Sequence, residues 1–308
     1  MQKSYGGQAL IEGVMMRGKH HQAMAVRLDD GRIESLVTPF TPWGEAHPIL
    51  RLPFIRGSVN MVESLVVGMK ALSWSTNVNL SGGMDTEEEA VKPWQMALTV
   101  LMSLLLSIGI FFLLPVLLAH AAGPWISGVL AQNLLEGVLR VGIFLLYICL
   151  IAQMPDIHRV FQYHGAEHKS IHCYETGAPL APASARRFSR LHPRCGTSFL
   201  FIVMVVSIFV FSFTGVDNIL LRLFSRVLLL PVIAGVSYEI LKWTGRHMDR
   251  PIVRLIAWPG MQIQRMTTAE PDEDMLEVAL VALEKVRLAE KDQEPVPFTQ
   301  MTYLAAQH

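Results

Sequence analysis

Apolar runs separated by polar segments dominate the middle of the chain. Residues 93–119 and 195–216 contain no charged side chain, and each run exceeds the roughly 20 residues that a helix needs to cross a bilayer. A third run, residues 134–154, carries Glu136 and Arg140 near its start, where they can pair or reach the membrane interface. These three runs predict transmembrane helices.

The fourth apolar run, residues 223–241, gives the weakest signal. Arg226 and Glu239 lie near its two ends, and only residues 227–236 are uninterrupted. A buried or re-entrant helix is therefore the alternative to a full span at this position. With this run included, the pattern predicts a mainly α, polytopic membrane protein with about four transmembrane helices.

The first 90 residues have the pattern of a small α+β region. Residues 23–28 and 32–37 flank an Asp-Asp-Gly turn signal and predict a β-hairpin. Residues 57–74 repeat apolar side chains at three- and four-residue spacings, which predicts a helix that packs on protein or lies at the membrane surface. The acidic residues 81–90 have the composition of a linker.

The polar C-terminal residues are expected to form a tail. Residues 274–290 have the pattern of a charged amphipathic helix, and the stretch around Pro295 and Pro297 is expected to fray. The chain therefore divides into an N-terminal region of residues 1–90, a membrane domain of residues 91–245, and a tail of residues 246–308.

Composition and charge support the membrane interpretation. The 308-residue chain has only 17% charged residues and a mean hydropathy of +0.36, values that are unusual for a soluble protein. Basic residues cluster between the runs 134–154 and 195–216, and none lies between the runs 93–119 and 134–154. The positive-inside rule therefore places the loop between 154 and 195 and both termini in the cytoplasm. Arg222 and Arg226 oppose this orientation because they fall on the short outer loop. No N-terminal signal peptide is visible.

The central cytoplasmic loop, residues 155–196, holds the candidate chemistry. If residues 163–175 are helical, four donor side chains fall on or near one stripe of the helix. His164 and His172 then lie about 40° to either side of His168 around the helix axis. These donors are His164, His168, His172 and Glu175. The letters from His164 to His168 also spell H-x-x-E-H, a motif in which two histidines hold a metal and the glutamate, here Glu167, activates its water.

Two further donors lie in the same loop. His192 and Cys195 are separated by two residues, a spacing that lets both side chains converge on one ion. We predict that His164 and His168 bind a divalent metal, with zinc as the expected ion. The third ligand would come from His192, Cys195 or Glu175, and Glu167 would be the catalytic base.

Other charged residues near the spans have two interpretations each. Glu239 is an alternative third ligand, because an acidic side chain at that depth is costly unless it is paired or functional, and Lys242 is its simpler partner. Arg186, Arg190 and Arg194 are spaced four apart. Contact with acidic lipid headgroups is favoured for these arginines over binding of an anionic substrate.

A glycine-rich segment near the N-terminus matches the sequence motif of a phosphate-binding loop but lacks its expected structural context. Residues 13–19 match G-x-x-x-x-G-K, but His20 replaces the required Ser or Thr, and a strand rather than a helix is expected to follow. Nucleotide binding is therefore not expected. Glu12 and Arg17 in this segment could approach a ligand or form an ordinary ion pair.

Four segments of the chain resemble the bacterial YqhQ family of integral membrane proteins, described as predicted metal-dependent enzymes of unknown function. They are GGQALIEGVMMRG at residues 6–18, LPFIRG at 52–57, YHGAEHK at 163–169 and HPRCGTSF at 192–199. The resemblance runs from Gly6 to about Met261. It implies a protein of the cytoplasmic (inner) membrane whose metal-site positions are His164, Glu167, His168, His192 and Cys195, and it supplies no substrate.

Two functions of different classes follow from these patterns. The first is a metal-dependent hydrolase acting on a peptide, ester or phosphoester bond, although the usual large soluble fold of H-x-x-E-H proteases is absent. The second is a non-catalytic membrane assembly or insertion factor whose metal is closed by four ligands and braces the loop. A transporter is disfavoured. The expected partners are the lipid bilayer and other membrane proteins, and no nucleic acid.

Overall fold

The computed structural model describes residues 4–83, 93–126, 128–213 and 218–291. Most of the expected linker and the stretch around Pro295 and Pro297 lie outside these ranges. The described chain is mainly helical, with a small antiparallel sheet near the N-terminus. The strands are β1 (Gly6–Leu10), β2 (Gly13–Arg17), β3 (His21–Arg27) and β4 (Ile33–Pro39). The helices are α1 (Trp43–Ala46), α2 (Ile55–Ser81), α3 (Pro93–Ile108), α4 (Leu114–Ala121), α5 (Val129–Ile151), α6 (Pro155–Glu175), α7 (Pro182–Ala185), α8 (Gly196–Ser212), α9 (Ile219–Leu228), α10 (Leu230–Arg246), α11 (Pro251–Thr267) and α12 (Glu273–Ala289).

The sheet is a meander in which each strand pairs antiparallel with the next one along the chain. The predicted hairpin is confirmed as β3 and β4, and Gly31 adopts the positive φ of +88° that the turn requires. The segment spelled like a phosphate loop forms β2, which pairs with β1 and β3. Strands β1 and β2 were not predicted from the sequence.

The main hydrophobic core lies between the sheet, α6 and α12. Helix α12 confirms the amphipathic helix predicted over residues 274–290, and its apolar side chains Leu276, Leu280 and Leu283 are buried. Its N-cap is Asp272, whose side chain accepts a hydrogen bond from the N–H of Met275 at 2.9 Å. We call β1–β4, α6 and α12 together the compact unit. Its members come from three distant parts of the sequence.

Within the described ranges, two helices are long and apolar enough to cross a membrane. Helices α3 and α4 are continuous through a turn of π-helix at Gly109–Leu113, and the segment Ala97–Ala121 qualifies, as does Val129–Ile151. The spans predicted over residues 93–119 and 134–154 are therefore confirmed as helices of sufficient length and hydropathy. The second begins at Val129 rather than at Leu134.

The other two predicted spans differ from expectation. Helix α8 has 17 residues, which cover about 26 Å and fall short of a hydrocarbon core of roughly 30 Å. Helices α9 and α10 meet at a bend of 41°, so they form either one broken span or a re-entrant pair. The expectation of about four spans is thus supported for two helices, and for a third if the bent pair counts as one. We call α3, α4, α5, α8, α9 and α10 the apolar unit.

Two helices connect the units. Helix α2 confirms the helix predicted over residues 57–74 but is longer, and it contacts α10 on one side and strands β1 and β3 on the other. Helix α11 packs on α8 and leads directly into the segment before α12. Its exposed apolar side chains include Ile252, Leu255 and Trp258.

Candidate metal centre

Helix α6 carries the predicted histidine stripe. It begins with Pro155, whose fixed φ suits the first turn, and Asp156 follows at the positive end of the helix dipole. It ends before Gly177, which has a φ of +69° and donates its N–H to the carbonyl of Tyr174 at 3.0 Å. The helix predicted over residues 163–175 is confirmed, and it begins two turns earlier than predicted.

Three of the predicted ligands lie together. The donor atoms of His164, His168 and Cys195 all fall within 4.8 Å of one another. The Nε2 atom of His164 is 3.2 Å from Cys195 Sγ, and the two imidazole rings meet edge to face with centroids 4.5 Å apart. We call these three residues the first donor group.

Backbone carbonyl groups fix both imidazoles of the first donor group. His164 Nδ1–H donates to the carbonyl of Thr267 at 2.8 Å, and His168 Nδ1–H donates to the carbonyl of Arg190 at 2.6 Å. A neutral imidazole that donates from Nδ1 keeps its lone pair on Nε2, which is how metal-ligating histidines are usually held. The donor set of two imidazoles and a thiol suits zinc. Burial lowers the pKa of His168 against the opposing influence of Cys195.

Cys195 occupies the N-cap of α8. Its Sγ accepts a hydrogen bond from the N–H of Thr197 at 3.4 Å and lies 3.2 Å from Thr197 Oγ1. The positive end of the helix dipole favours negative charge at this position. The sequence therefore sets a buried sulfur at the start of an apolar helix, facing the histidines of α6.

Helix α11 holds the segment that carries His192 and Cys195. Gln264 is fully buried, its Oε1 accepts from the N–H of His192, and its Nε2 donates to the His192 carbonyl, each at 2.9 Å. Gly165 lets α6 approach the segment just after α11, because a Cβ at that position would collide with the carbonyl of Ala269. Sequence reasoning missed these supports. They are an amide on a distant helix and backbone carbonyl groups, which leave no motif.

The other two candidate histidines, His172 and His192, form a second donor group with Glu175. The donor atoms of His172, Glu175 and His192 also lie within 4.8 Å of one another. His172 Nε2–H donates to the carbonyl of Leu191 at 3.0 Å, and His192 Nε2 lies 3.4 Å from Glu175. Glu175 is also ion-paired with Arg194. His192 is thus brought to His172 and Glu175 rather than to the first donor group.

The charges of the second donor group influence one another. Burial lowers the pKa of His192, while the hydrogen bond to Glu175 opposes that shift. Burial alone would raise the pKa of Glu175, but His192 and Arg194 together hold it below its usual value. The carboxylate is therefore already neutralised by an arginine, which makes this group a weaker cation site than the first.

Glu167 lies on another face of α6, against strand β1. Its side chain is only 5% exposed, and a Cβ at Gly7 would lie 2.9 Å from its Cδ atom. Burial raises the pKa of Glu167 to about 7, against the opposing influence of His164 and of the Gly7 N–H that donates to it. Glu167 belongs to neither donor group and lies beside the first.

The other charged candidates have partners within the protein. Glu239 accepts two hydrogen bonds from Arg56, at 2.6 and 2.5 Å, and belongs to neither donor group. Lys242 interacts with it only through its charge. Among the three arginines considered for lipid headgroups, Arg186 pairs with Glu273 at 3.1 Å. Arg190 donates to the Thr268 carbonyl, and Arg194 pairs with Glu175.

Glu12 and Arg17, the two charged residues of the glycine-rich segment, have different partners. Glu12 forms an ion pair with Arg159 of α6 and accepts a hydrogen bond from Tyr163 at 3.3 Å. The Arg17 guanidinium lies over the ring of Phe40, 4.8 Å from its centroid. Glu12 is therefore in an ion pair, as considered, but its partner is on the helix that bears the histidines.

Residues 52–289 match the family model described as "Protein of unknown function (DUF1385)". The chain belongs to this family. It is also 36% identical over 305 residues to the "Uncharacterized protein YqhQ" of Bacillus subtilis (strain 168), covering 95% of this chain and 96% of the relative. No solved structure matches the chain. The part matched to the DUF1385 family includes both donor groups and Glu167, whereas strands β1–β4 precede it.

Proposed function

We propose that this protein is an integral membrane hydrolase of the bacterial inner membrane that uses a divalent metal, zinc, at the first donor group. The observation that carries the proposal is the convergence of His164 Nε2, His168 and Cys195 Sγ, with both imidazoles held at Nδ1 by backbone carbonyl groups. Such second-sphere hydrogen bonds orient metal ligands in proteins.

Membrane embedding is supported by the surface of the apolar unit. Side chains such as Leu101, Leu105 and Phe209 are more than half exposed, and a water-soluble protein rarely exposes so large an apolar surface. In the proposed orientation, the compact unit and the donor groups lie on the cytoplasmic side. The basic residues around the central loop support that side.

A set of three protein ligands is the usual arrangement at catalytic rather than structural zinc sites. When bound, the metal supplies Lewis acidity and lowers the pKa of a ligating water towards neutrality. Glu167 is the proposed base. Its carboxyl group is buried beside His164 and has no cationic ion-pair partner within the described part of the chain.

A cavity of about 440 Å³ supports a place for the substrate. Gly196, the residue after Cys195, lines it together with Arg17, Glu63 and Tyr238. These side chains offer a guanidinium, a carboxylate and a phenol ring, so a substrate with both polar and apolar parts would find matching groups. Cleavage of a peptide, ester or phosphoester bond fits this chemistry.

The second candidate function, a non-catalytic assembly or insertion factor, is favoured by one specific observation. The first donor group joins α6 to the cap of α8, and its imidazoles bond to the end of α11 and to the Arg190 carbonyl. A metal there would brace four parts of the chain against one another, as structural zinc sites do.

Both functions require a metal at the first donor group, so the metal content of the purified protein tests them together. We expect about one zinc per chain when the detergent-purified full chain is measured by inductively coupled plasma mass spectrometry, and loss of that zinc in His168→Ala and Cys195→Ser. His158→Ala is the matched control, since His158 is exposed on the same helix. Wild-type protein that folds without stoichiometric metal would refute both functions.

Hydrolysis separates the two functions. Metal-loaded protein is assayed on generic p-nitrophenyl phosphate, a p-nitrophenyl ester and a fluorescent casein. The hydrolase function predicts turnover in one class, lost in Glu167→Gln although that variant keeps its metal. The bracing function would be supported instead by three results together. The protein binds zinc but hydrolyses none of the substrates, its melting temperature falls after chelation, and Glu167→Gln matches wild type in zinc content and melting temperature.

A further inference from the structure

A second cavity lies at the far end of the apolar unit from the metal centre. Its volume is about 400 Å³, and its lining comes from the end of α4, the start of α5 and helix α9. The lining residues are His120, Gly123, Pro124, Gln132 and Arg222. Helix α5 has 23 residues and therefore separates this cavity from the start of α6 by about 34 Å.

Arg222 is the unusual member of this lining. Its side chain is 4% exposed, and its Nε atom is buried without a hydrogen-bond partner. In the described ranges, its side chain has one hydrogen bond, a long one of 3.5 Å from Nη2 to Oε1 of Gln132. No carboxylate among those residues pairs with it.

The nearest buried carboxylate is already used by other arginines. Glu136 accepts from Arg140 Nη2 at 2.6 Å and from Arg226 Nε and Nη2 at 3.1 and 3.0 Å. Among the described residues of these helices, the one buried carboxylate thus pairs with two of three buried guanidinium groups, and Arg222 is the third. The excess of positive charge is concentrated at Arg222.

A guanidinium group cannot lose its proton in a protein, so burial does not neutralise Arg222. An unpaired buried charge is costly, and a bound anion removes that cost. The planar fork of five donors matches the oxygens of a phosphate group. The Gln132 amide and the exposed His120 ring at the cavity add polar groups beside it.

We propose that this cavity is a binding site for a phosphate-type anion, with Arg222 as its principal donor. The phosphate belongs either to a lipid headgroup or to free inorganic phosphate, since the chemistry at Arg222 is the same for both. The site is independent of the metal centre and does not rest on hydrolase activity.

The test uses the purified full chain in detergent micelles. Melting temperature is followed as inorganic phosphate replaces chloride at constant ionic strength. In parallel, native mass spectrometry compares retention of phosphatidylglycerol with that of diacylglycerol of the same acyl chains, which lacks the phosphate. A response to inorganic phosphate identifies the free anion, and selective retention of phosphatidylglycerol alone identifies the headgroup.

Arg222→Gln should weaken whichever response is seen by roughly tenfold or more. The matched control is Arg254→Gln, which removes an exposed arginine of α11. If Arg222→Gln is not recovered folded, Arg222→Lys replaces it, because that variant keeps the charge and loses the fork. A wild type that responds to neither ligand overturns the proposal, and so does a response that is equal in the Arg222 variant and in wild type.

Discussion

The compact unit buries most of its large apolar side chains, whereas the apolar unit exposes many of its own and buries a network of charged groups. In the compact unit, Leu276 and Leu283 are fully buried against the sheet and α6. In the apolar unit, Leu105 is 54% exposed, whereas Glu136 and Arg226 are each about 1% exposed. Apolar burial stabilises a fold only where the alternative is water. This difference in exposure is what the proposed membrane embedding of the apolar unit requires.

The largest expected effect comes from breaking the buried charges of the apolar unit. Glu136→Gln leaves Arg140 and Arg226 facing a neutral amide, so we expect a loss of about 3 to 5 kcal/mol in the free energy of unfolding. The measurement is unfolding in detergent micelles. Val138→Ala on the same helix is the control, since Val138 is exposed. A Glu136→Gln variant as stable as that control would contradict the role given to the buried network.

The same substitution in each unit sharpens the comparison. Leu276→Ala removes a buried side chain of the compact unit and should cost about 2 to 5 kcal/mol. Leu105→Ala removes an exposed one from the apolar unit and should change the free energy of unfolding in micelles by no more than about 0.5 kcal/mol. Equal costs at the two positions would mean that Leu105 is covered by protein rather than by lipid or detergent.

Local patterns made much of this fold predictable. The hairpin of β3 and β4, the first two apolar helices and the stripe on α6 each follow from a period of two or of about 3.6 within one segment. The stripe led correctly to a helix that brings His164 near His168. These features need no knowledge of distant residues.

Long-range pairings were not predictable in the same way. The division of the histidines into two donor groups depends on where the segment before α8 returns to α6, and Gln264 sets that position from 72 residues away. Arg226 was assigned to an outer loop from the bounds of the apolar runs, but it is buried in α9 against Glu136, which lies 90 residues earlier. Charge patterns along a sequence do not reveal such partners.

A substitution at Gln264 tests the contact of the connecting helix α11 with the segment that carries His192. Gln264→Leu removes both hydrogen bonds to the His192 backbone and leaves those groups buried, so we expect a loss of about 1 to 3 kcal/mol and a reduced zinc content. Gln262→Leu is the control, since Gln262 is only partly buried on the same helix. Unfolding in micelles and metal analysis check the two effects. Unchanged metal content together with lower stability would mean that the support acts on folding alone.

The smallest expected effect is confined to the compact unit and depends on pH. The Oε1 atom of Glu290, just after α12, accepts from the N–H groups of His20 and His21 at 2.6 and 2.7 Å, although its side chain is only 6% exposed. Burial alone would raise the pKa of Glu290, but these hydrogen bonds and the His21 ring hold it below the usual value.

A pKa that is depressed by folding stabilises the fold above the unfolded value, about 4.3 for Glu, and that contribution is lost as the pH falls through the folded value. Glu290→Gln should therefore cost about 1 to 2 kcal/mol at neutral pH, and its stability should converge with that of wild type in acid. Glu273→Gln is the control, because Glu273 is exposed at the other end of α12. A difference between wild type and Glu290→Gln that stays constant from neutral to acid pH would show that the carboxylate charge is not what ties α12 to the turn between β2 and β3.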